Sequence, residues 1–381
     1  MPEQVEVATG SRLAFVDALK ALAAQLIVLH HLAFYGPMSD HAYPLLPALL
    51  SWLSQDARMA VQAFLVIGGF LAARSLAPEG ELRTGRPPAL LWQRYLKLVT
   101  PYLAAVLLAI VCAAIARELM THDSLPGEAS VPQMVAHALL LQSILGFEGL
   151  SAGVWYIAID FQLFAIFLGL LWLARSLGRG QRRVIVLGTT LVAALALVSL
   201  YYFNRHAEWD VYGFYFFGAY ALGVLTYWAN RPQRSRLWPV LIVLPVFVAL
   251  YVDYRSRIVV ALLVALALGV AQRRGFLATW PRSRLISRLG QVSYALFLVH
   301  FPVCMVVNGL FARFAPPDPL LNLAGMVVAW LFSLLAGAFF YHFVEGRGRH
   351  PPWRPGLAGN GVSDGVSDKS AATLQRTGQS S

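Results

Sequence analysis

The chain has 381 residues, of which 58% are hydrophobic and only 13% are charged, and its mean hydropathy is +0.61. This composition excludes a soluble globular protein, which needs more charged side chains on its surface, and it indicates a polytopic membrane protein. The formal net charge of +11 does not indicate a nucleic-acid partner, because the basic residues flank apolar segments instead of forming one patch.

Apolar segments of roughly the length that crosses the hydrocarbon core as an α-helix recur along the chain. They lie at residues 13–35, 57–77, 90–116, 153–174, 184–203, 211–229, 237–254, 257–272, 288–312 and 320–344. We therefore expect an all-α fold, a polytopic transmembrane helical bundle of about ten spans. We place this membrane domain at 12–350, after a short N-terminal segment (1–11) and before a tail (351–381) whose Gly, Ser, Asp and Thr content predicts disorder.

The distribution of arginine predicts the orientation of the bundle. Arginines are concentrated after every second apolar segment, whereas the other connections carry one or two each. A further stretch, 133–147, has about 15 residues, fewer than the roughly 20 that a spanning helix needs. If this stretch does not cross, all the arginine-rich connections lie on one side, which the positive-inside rule makes cytoplasmic. We therefore expect both termini in the cytoplasm and 133–147 as a re-entrant or outer-surface segment.

Ionisable side chains within the apolar segments are the candidates for function, because each costs a few kcal/mol in lipid unless it is paired or faces a cavity. In the first span, Asp17, Lys20 and His31 share one face of a helix with 100° per residue, whereas the adjacent His30 lies off that face. Lys20 and His31 are about 16 Å apart along the axis, with Lys20 nearer the cytoplasm. This polar stripe predicts a polar ligand or a water-filled path beside the span.

Asp160 lies about two turns into the fourth span, and under this topology it should lie at a similar depth to His31. A carboxylate that binds one imidazole nitrogen leaves the other nitrogen as a general base. A buried pair that only fixes helix packing is equally compatible with the sequence.

Two more spans carry polar groups with two possible interpretations. Arg94 and Lys97, one turn apart at the start of the third span, either snorkel to the membrane surface or clamp a phosphate group. In the ninth span, Ser293 and His300 share a face, and Tyr294 follows Ser293. Hydrogen bonds between spans explain these side chains as well as a role in catalysis does.

These stretches, in this order, resemble the acyltransferase 3 family of integral-membrane O-acyltransferases, which includes bacterial O-antigen, peptidoglycan and exopolysaccharide acetylases. The family motif L-D-G-L-R-x-x-A-x-L-x-V-x-x-H is similar to VDALKALAAQLIVLHH (16–31), and W-S-L-x-x-E-x-Q-F-Y is similar to VWYIAIDFQLF (154–164). The family motif S-Y-x-L-Y-L-x-H-x-P is similar to SYALFLVHFP (293–302). These three motifs correspond to Asp17, Lys20, His31, Trp155, Asp160, Gln162, Ser293, Tyr294 and His300. The family's R-x-x-R ahead of a proline is similar to Arg94 and Lys97 before Pro101, and its closing Y-x-x-x-E-x-P is similar to YHFVEGRGR, with Glu345.

The chain departs from the family pattern at several of these positions. Lys20 and Lys97 replace the usual arginines, so the bidentate geometry that suits phosphate is lost although the charge remains. Asp160 replaces the usual glutamate and is one methylene shorter.

The resemblance implies a multi-pass enzyme of the bacterial cytoplasmic (inner) membrane. Such an enzyme transfers an acyl group, in the family most often acetyl, from cytoplasmic acyl-coenzyme A to a hydroxyl group of a cell-surface or lipid-linked glycan. Acetyl-coenzyme A would be the donor, the lipid bilayer the environment, and neither a metal nor a nucleic acid would take part. The alternatives are a succinyltransferase of the same family and a transporter or flippase for a lipid-linked sugar.

The resemblance also suggests roles for individual residues. His31 would be the general base or would accept the acyl group first, and Asp160 would orient it. The nucleotide and pantetheine parts of the donor would bind four basic residues, Lys20, Arg74, Arg94 and Lys97. The remaining positions would contact substrate or support the site: Asp17, Trp155, Gln162, Ser293, Tyr294, His300 and Glu345.

Overall fold

A computed structural model of the chain describes residues 12–83, 86–231, 234–235 and 237–346, and these residues contain helices and no strand. Helices are expected here, because hydrocarbon offers no water to backbone N–H and C=O groups and a helix satisfies them internally. The N-terminal segment (1–11) and the tail (351–381) lie outside the described residues, so their assignment stays a prediction.

The described α-helices follow the apolar pattern closely. In chain order they are α1 (Ala14–Phe34), α2 (Pro37–Ala42), α3 (Pro47–Gln55), α4 (Val61–Leu76), α5 (Pro87–Leu119), α6 (Val131–Ala138), α7 (Val154–Leu177), α8 (Gln181–Tyr201), α9 (Gly213–Ala229), α10 (Leu237–Val252), α11 (Ser256–Arg273), α12 (Arg284–Phe314) and α13 (Pro319–Phe340). A turn of π-helix, Tyr341–Glu345, follows α13.

The all-α membrane bundle is confirmed, and the number of spans is approximate. Eight helices among the described residues are long and apolar enough to cross a membrane. Two more coincide with predicted spans but are shorter: α9 has 17 residues and α10 has 16. In the 133–147 region, α6 has eight residues and ends in turns, so it is too short to cross.

Contacts between helix ends show which ends of the spans lie together. The Trp228 indole in α9 donates to the Ala77 carbonyl oxygen after α4 at 2.8 Å. We call this end, where α4, α7, α9 and α11 finish, the arginine end. At the opposite end, the Met38 backbone N–H donates to Asn308 Oδ1 near the end of α12 at 3.2 Å. We call it the histidine end, because His31 lies there in the last turn of α1. The arginine rule predicts that the arginine end is cytoplasmic.

Two glycines allow α4 and α9 to pack closely. A Cβ atom on Gly69 would overlap the Tyr220 carbonyl group, and one on Gly223 would overlap the Val66 carbonyl group. Small residues at such positions let the backbones of membrane helices approach each other. This contact fixes α9 against α4, and both helices border the candidate site described below.

We expect Gly223→Ala to lower the free energy of unfolding by about 1–3 kcal/mol, because the added methyl group meets main-chain atoms that cannot rotate away. Gly169→Ala in α7 is the matched control, since nothing lies within 4 Å of a Cβ atom there. Alanine is the better helix former, so the control should be neutral or slightly stabilising. Thermal unfolding of both variants in one detergent measures the difference, and equal stabilities would contradict the proposed packing.

Candidate active site

The structure places most of the predicted site residues in two groups inside the bundle. One, which we call the histidine pair, consists of His31 in α1 and His300 in α12, and lies toward the histidine end. The other, which we call the charged group, lies nearer the middle and the arginine end. It contains Asp17, Lys20, Arg94, Lys97, Asp160 and Glu345.

The geometry of the histidine pair shows which ring nitrogens carry a proton. Nδ1 of His31 is 2.6 Å from Nε2 of His300, and the two rings are nearly parallel. Nδ1 of His300 is 3.0 Å from the carbonyl oxygen of Leu296, which can only accept. His300 therefore carries its proton on Nδ1, and when neutral it accepts at Nε2. His31 must then donate from Nδ1, which leaves the lone pair of His31 on Nε2.

The neighbouring His30 has a different partner. Its Nδ1 lies 3.0 Å from the carbonyl oxygen of Leu53 in α3 and donates to it. The separation of His30 from His31, predicted from the helical face, therefore agrees with their different partners. His30 links α1 to α3, whereas His31 faces α12.

Aromatic rings surround the histidine pair. Tyr35 and Phe301 lie 5.4 and 6.2 Å from the His31 ring, centroid to centroid. His300 is fully buried and His31 nearly so. An imidazole lone pair in this setting is shielded from bulk water, which strengthens its interaction with any polar group that enters.

Asp160 does not bind His31, contrary to the prediction from the sequence. Its carboxylate accepts a hydrogen bond from Nη2 of Arg94, and the pair is buried. His300 occupies the position beside His31 that the sequence led us to expect for the carboxylate.

The Arg94–Asp160 pair lies among aromatic side chains. The Arg94 guanidinium carbon is 5.4 Å from the centre of the Phe164 ring. Arg94 also interacts electrostatically with Tyr156 and Tyr220. Nε of Arg94 is buried and has no hydrogen-bond partner among the residues that the structure describes. A buried donor of this kind suits an acceptor from water or a ligand.

Lys20 is the residue of α1 that joins this group. It interacts electrostatically with Asp17, Arg94, Lys97 and Glu345. Three of the four predicted donor-binding residues, Lys20, Arg94 and Lys97, are thus brought together. The fourth, Arg74, lies in the last turn of α4 at the arginine end.

The other predicted residues have contacts of their own. Asp17 binds Arg12 at 2.6 Å. The hydroxyl groups of Ser293 and Tyr294 donate to the carbonyl oxygens of Gly290 and Leu98, at 3.0 and 3.1 Å. Both hydroxyl protons are therefore engaged by main-chain oxygens.

Trp155 and Gln162 of α7 lie against α9. The Trp155 ring is 5.6 Å from the Phe216 ring. Gln162 accepts a hydrogen bond from the Gly213 backbone N–H at 2.7 Å, where α9 begins. Gln162 therefore holds the start of α9.

A comparison with protein families decides the class of the molecule. The family model for an acyltransferase domain, acyltransferase 3, matches residues 13–342. The chain belongs to the acyltransferase 3 family. The match covers nearly the whole chain and confirms the resemblance carried by the motifs. No curated protein and no solved structure matches the chain significantly.

Family membership and the apolar helices together support a membrane-embedded acyltransferase. An acyltransferase of this family needs an acyl donor. No cluster of three or more His, Cys, Asp or Glu side chains that could hold a metal ion is found in the described ranges.

The sequence did not reveal that His300 is the partner of His31, because the predicted spans began at residues 13 and 288 and so placed the two rings at different depths. In the structure, His31 lies 17 positions after the start of α1, and His300 lies 16 positions after the start of α12. Two spanning helices that start at the same membrane surface place these rings at nearly equal depth.

Proposed function

We propose that this protein transfers an acyl group, in the first instance acetyl, from cytoplasmic acyl-coenzyme A to a hydroxyl group of a glycan. We place the acceptor at the outer face of the bacterial inner membrane. The observation that carries the proposal is the hydrogen bond between His31 Nδ1 and His300 Nε2, because it leaves the lone pair of His31 on Nε2.

In the proposed reaction, Nε2 of His31 takes the proton of the sugar hydroxyl while the sugar oxygen attacks the thioester carbonyl carbon. The carbon–sulfur bond then breaks, and the leaving thiolate takes a proton, which the imidazolium of His31 can return. His300 acts as a positioning residue, since its Nε2 accepts from Nδ1 of His31 and stabilises the transient positive charge. Attack by Nε2 itself, through an acyl-histidine, uses the same lone pair.

The charged group supports a route for the donor from the arginine end. Acyl-coenzyme A is anionic, and between the arginine end and the histidine pair the charged group offers three basic side chains, Lys20, Arg94 and Lys97, together with its carboxylates. We propose that the nucleotide phosphates bind near Arg74 and Lys97 and that the pantetheine arm passes Lys20. Arg94 is already bound to Asp160, so its unpartnered Nε is the atom that we propose for donor contact.

The acyltransferase proposal predicts that labelled acetyl-coenzyme A, added at the cytoplasmic side of vesicles made from cells containing the protein, yields labelled glycan and free coenzyme A thiol. Native membranes supply the acceptor, and vesicles without the protein are the control. Succinyl-coenzyme A in a parallel reaction tests the alternative donor, and mass spectrometry of the glycan identifies the added group. Movement of lipid-linked sugar with the thioester left intact would contradict the proposal and favour a transporter.

A further inference from the structure

The proposed reaction needs a hydrogen-bond donor that the histidine pair does not supply. Attack on the thioester carbonyl carbon puts negative charge on the carbonyl oxygen, whether the nucleophile is the sugar oxygen or Nε2 of His31. The protons of Ser293 and Tyr294 are engaged by main-chain oxygens. The main-chain N–H groups around His31 and His300 lie within α1 and α12 and serve those helices. Another side chain must therefore supply the donor.

Four aromatic side chains lie around the His31 ring in the described part of the chain: His30, Tyr35, His300 and Phe301. The two histidines each bind a main-chain carbonyl oxygen through Nδ1, and Phe301 has no polar atom. The Tyr35 hydroxyl differs, because it forms no hydrogen bond with any residue that the structure describes. A tyrosine hydroxyl is protonated at neutral pH, so Tyr35 can donate.

Tyr35 lies beside the histidine pair on the side of the histidine end. It directly follows α1 and stands one turn beyond His31. The centres of the two rings are 5.4 Å apart, a separation at which one small group such as a thioester carbonyl can contact both side chains. Tyr35 is only half-buried, so a substrate can reach it.

The position of Tyr35 is fixed by α12. Nδ2 of Asn308 donates to the Tyr35 carbonyl oxygen at 3.5 Å, and Oδ1 of Asn308 accepts from the Met38 N–H at 3.2 Å. Between these two residues Gly36 has a φ of +96°, which favours glycine, and a Cβ atom there would overlap the Asn308 amide. The Tyr35 ring packs 5.0 Å from the Phe301 ring, centre to centre. A donor held in this way needs little reorganisation during the reaction.

We infer that Tyr35 is a catalytic residue whose hydroxyl group donates a hydrogen bond to the thioester carbonyl oxygen as that oxygen becomes negative. The sugar oxygen bonds to the carbonyl carbon, its proton passes to Nε2 of His31, and the π electrons of the carbonyl group move to the oxygen bound by Tyr35. When the double bond re-forms, the carbon–sulfur bond breaks and the thiolate takes the proton from His31. Tyr35 keeps its own proton throughout. The inference rests on the proposed function, because it concerns the same acyl transfer.

The test is the steady-state kinetics of Tyr35→Phe in native vesicles with labelled acetyl-coenzyme A. This change removes one oxygen atom and keeps the ring, so the packing against Phe301 remains. We expect kcat to fall about a hundredfold, as on removal of one oxyanion donor, while KM for acetyl-coenzyme A changes by less than a few-fold. A loss confined to kcat is typical of an interaction made only in the transition state.

Tyr212→Phe is the matched control. Tyr212 is also half-buried, comes directly before α9 at the histidine end, and has its ring 5.7 Å from that of Trp209. Its hydroxyl has no hydrogen-bond partner among the described residues either. Tyr212→Phe should therefore keep the kcat of the unchanged protein. Both variants should unfold at the same temperature as the unchanged protein, because neither loses a hydrogen bond within the fold.

An unchanged kcat for Tyr35→Phe would overturn the inference, and so would an equal fall in kcat for Tyr212→Phe. His31→Ala in the same assay separates the inference from the proposed function. Full activity of Tyr35→Phe beside an inactive His31→Ala rejects the role of Tyr35 alone. Absence of acyl transfer by the unchanged protein rejects the proposed function, and the inference with it.

Discussion

Replacing His31 by alanine lowers the rate of acyl transfer by about 10²–10⁴-fold, the range that a positioned general base contributes. The expected loss follows from the histidine pair, in which only Nε2 of His31 has a lone pair available to an acceptor hydroxyl. The initial rate of transfer from labelled acetyl-coenzyme A in native vesicles, at matched amounts of folded protein, measures the effect.

His30→Ala is the control for this experiment, because it removes an adjacent imidazole from the same helix. His30 donates to the Leu53 carbonyl oxygen, so its loss costs one hydrogen bond between α1 and α3, about 0.5–1.5 kcal/mol of stability. The rate should stay within a small factor of that of the unchanged protein. A His31→Ala variant that keeps full activity, or two variants that are equally inactive, would reject His31 as the base.

The features that the sequence predicted well depend on one helix at a time. A run of about 20 apolar residues identifies a span whatever surrounds it, and the segment 13–35 corresponds to the helix Ala14–Phe34. The separation of His30 from His31 likewise needs only the 100° step within α1. Such predictions succeed because the helical period is a local property.

The partner of His31 could not be predicted in the same way. It depends on the depth and rotation of two other helices, and an error of one turn moves a side chain by about 5.4 Å and replaces one neighbour by another. Asp160 was assigned the correct span, and α7 begins at Val154, within one residue of the predicted start, so the error concerned the neighbouring helix that the carboxylate faces. The carboxylate faces Arg94 of α5 instead, and α12 supplies His300.

The largest loss of stability is expected for Asp160→Ala, about 3–5 kcal/mol of unfolding free energy, because it leaves the Arg94 charge buried without its partner. The double variant Arg94→Met, Asp160→Leu should recover most of this loss, since apolar residues of similar volume often replace a buried ion pair at little cost. The variants are compared by thermal unfolding in one detergent, measured as the folded fraction at each temperature.

Asp253→Ala provides the scale for this comparison. Asp253 is partly exposed and pairs with Arg205 and Arg255 outside the spans, so its removal should cost about 1 kcal/mol or less.

The acyl-transfer rate then separates the two roles considered for Asp160. If its carboxylate acts on His31, Asp160→Ala loses activity while its stability stays near that of Asp253→Ala. If the carboxylate instead holds Arg94 in place, Asp160→Ala lowers the free energy of unfolding far more than Asp253→Ala does. The apolar double variant then recovers this stability although it lacks the Arg94 charge. Any activity that remains in the folded double variant is then transfer that uses the histidine pair without the buried ion pair.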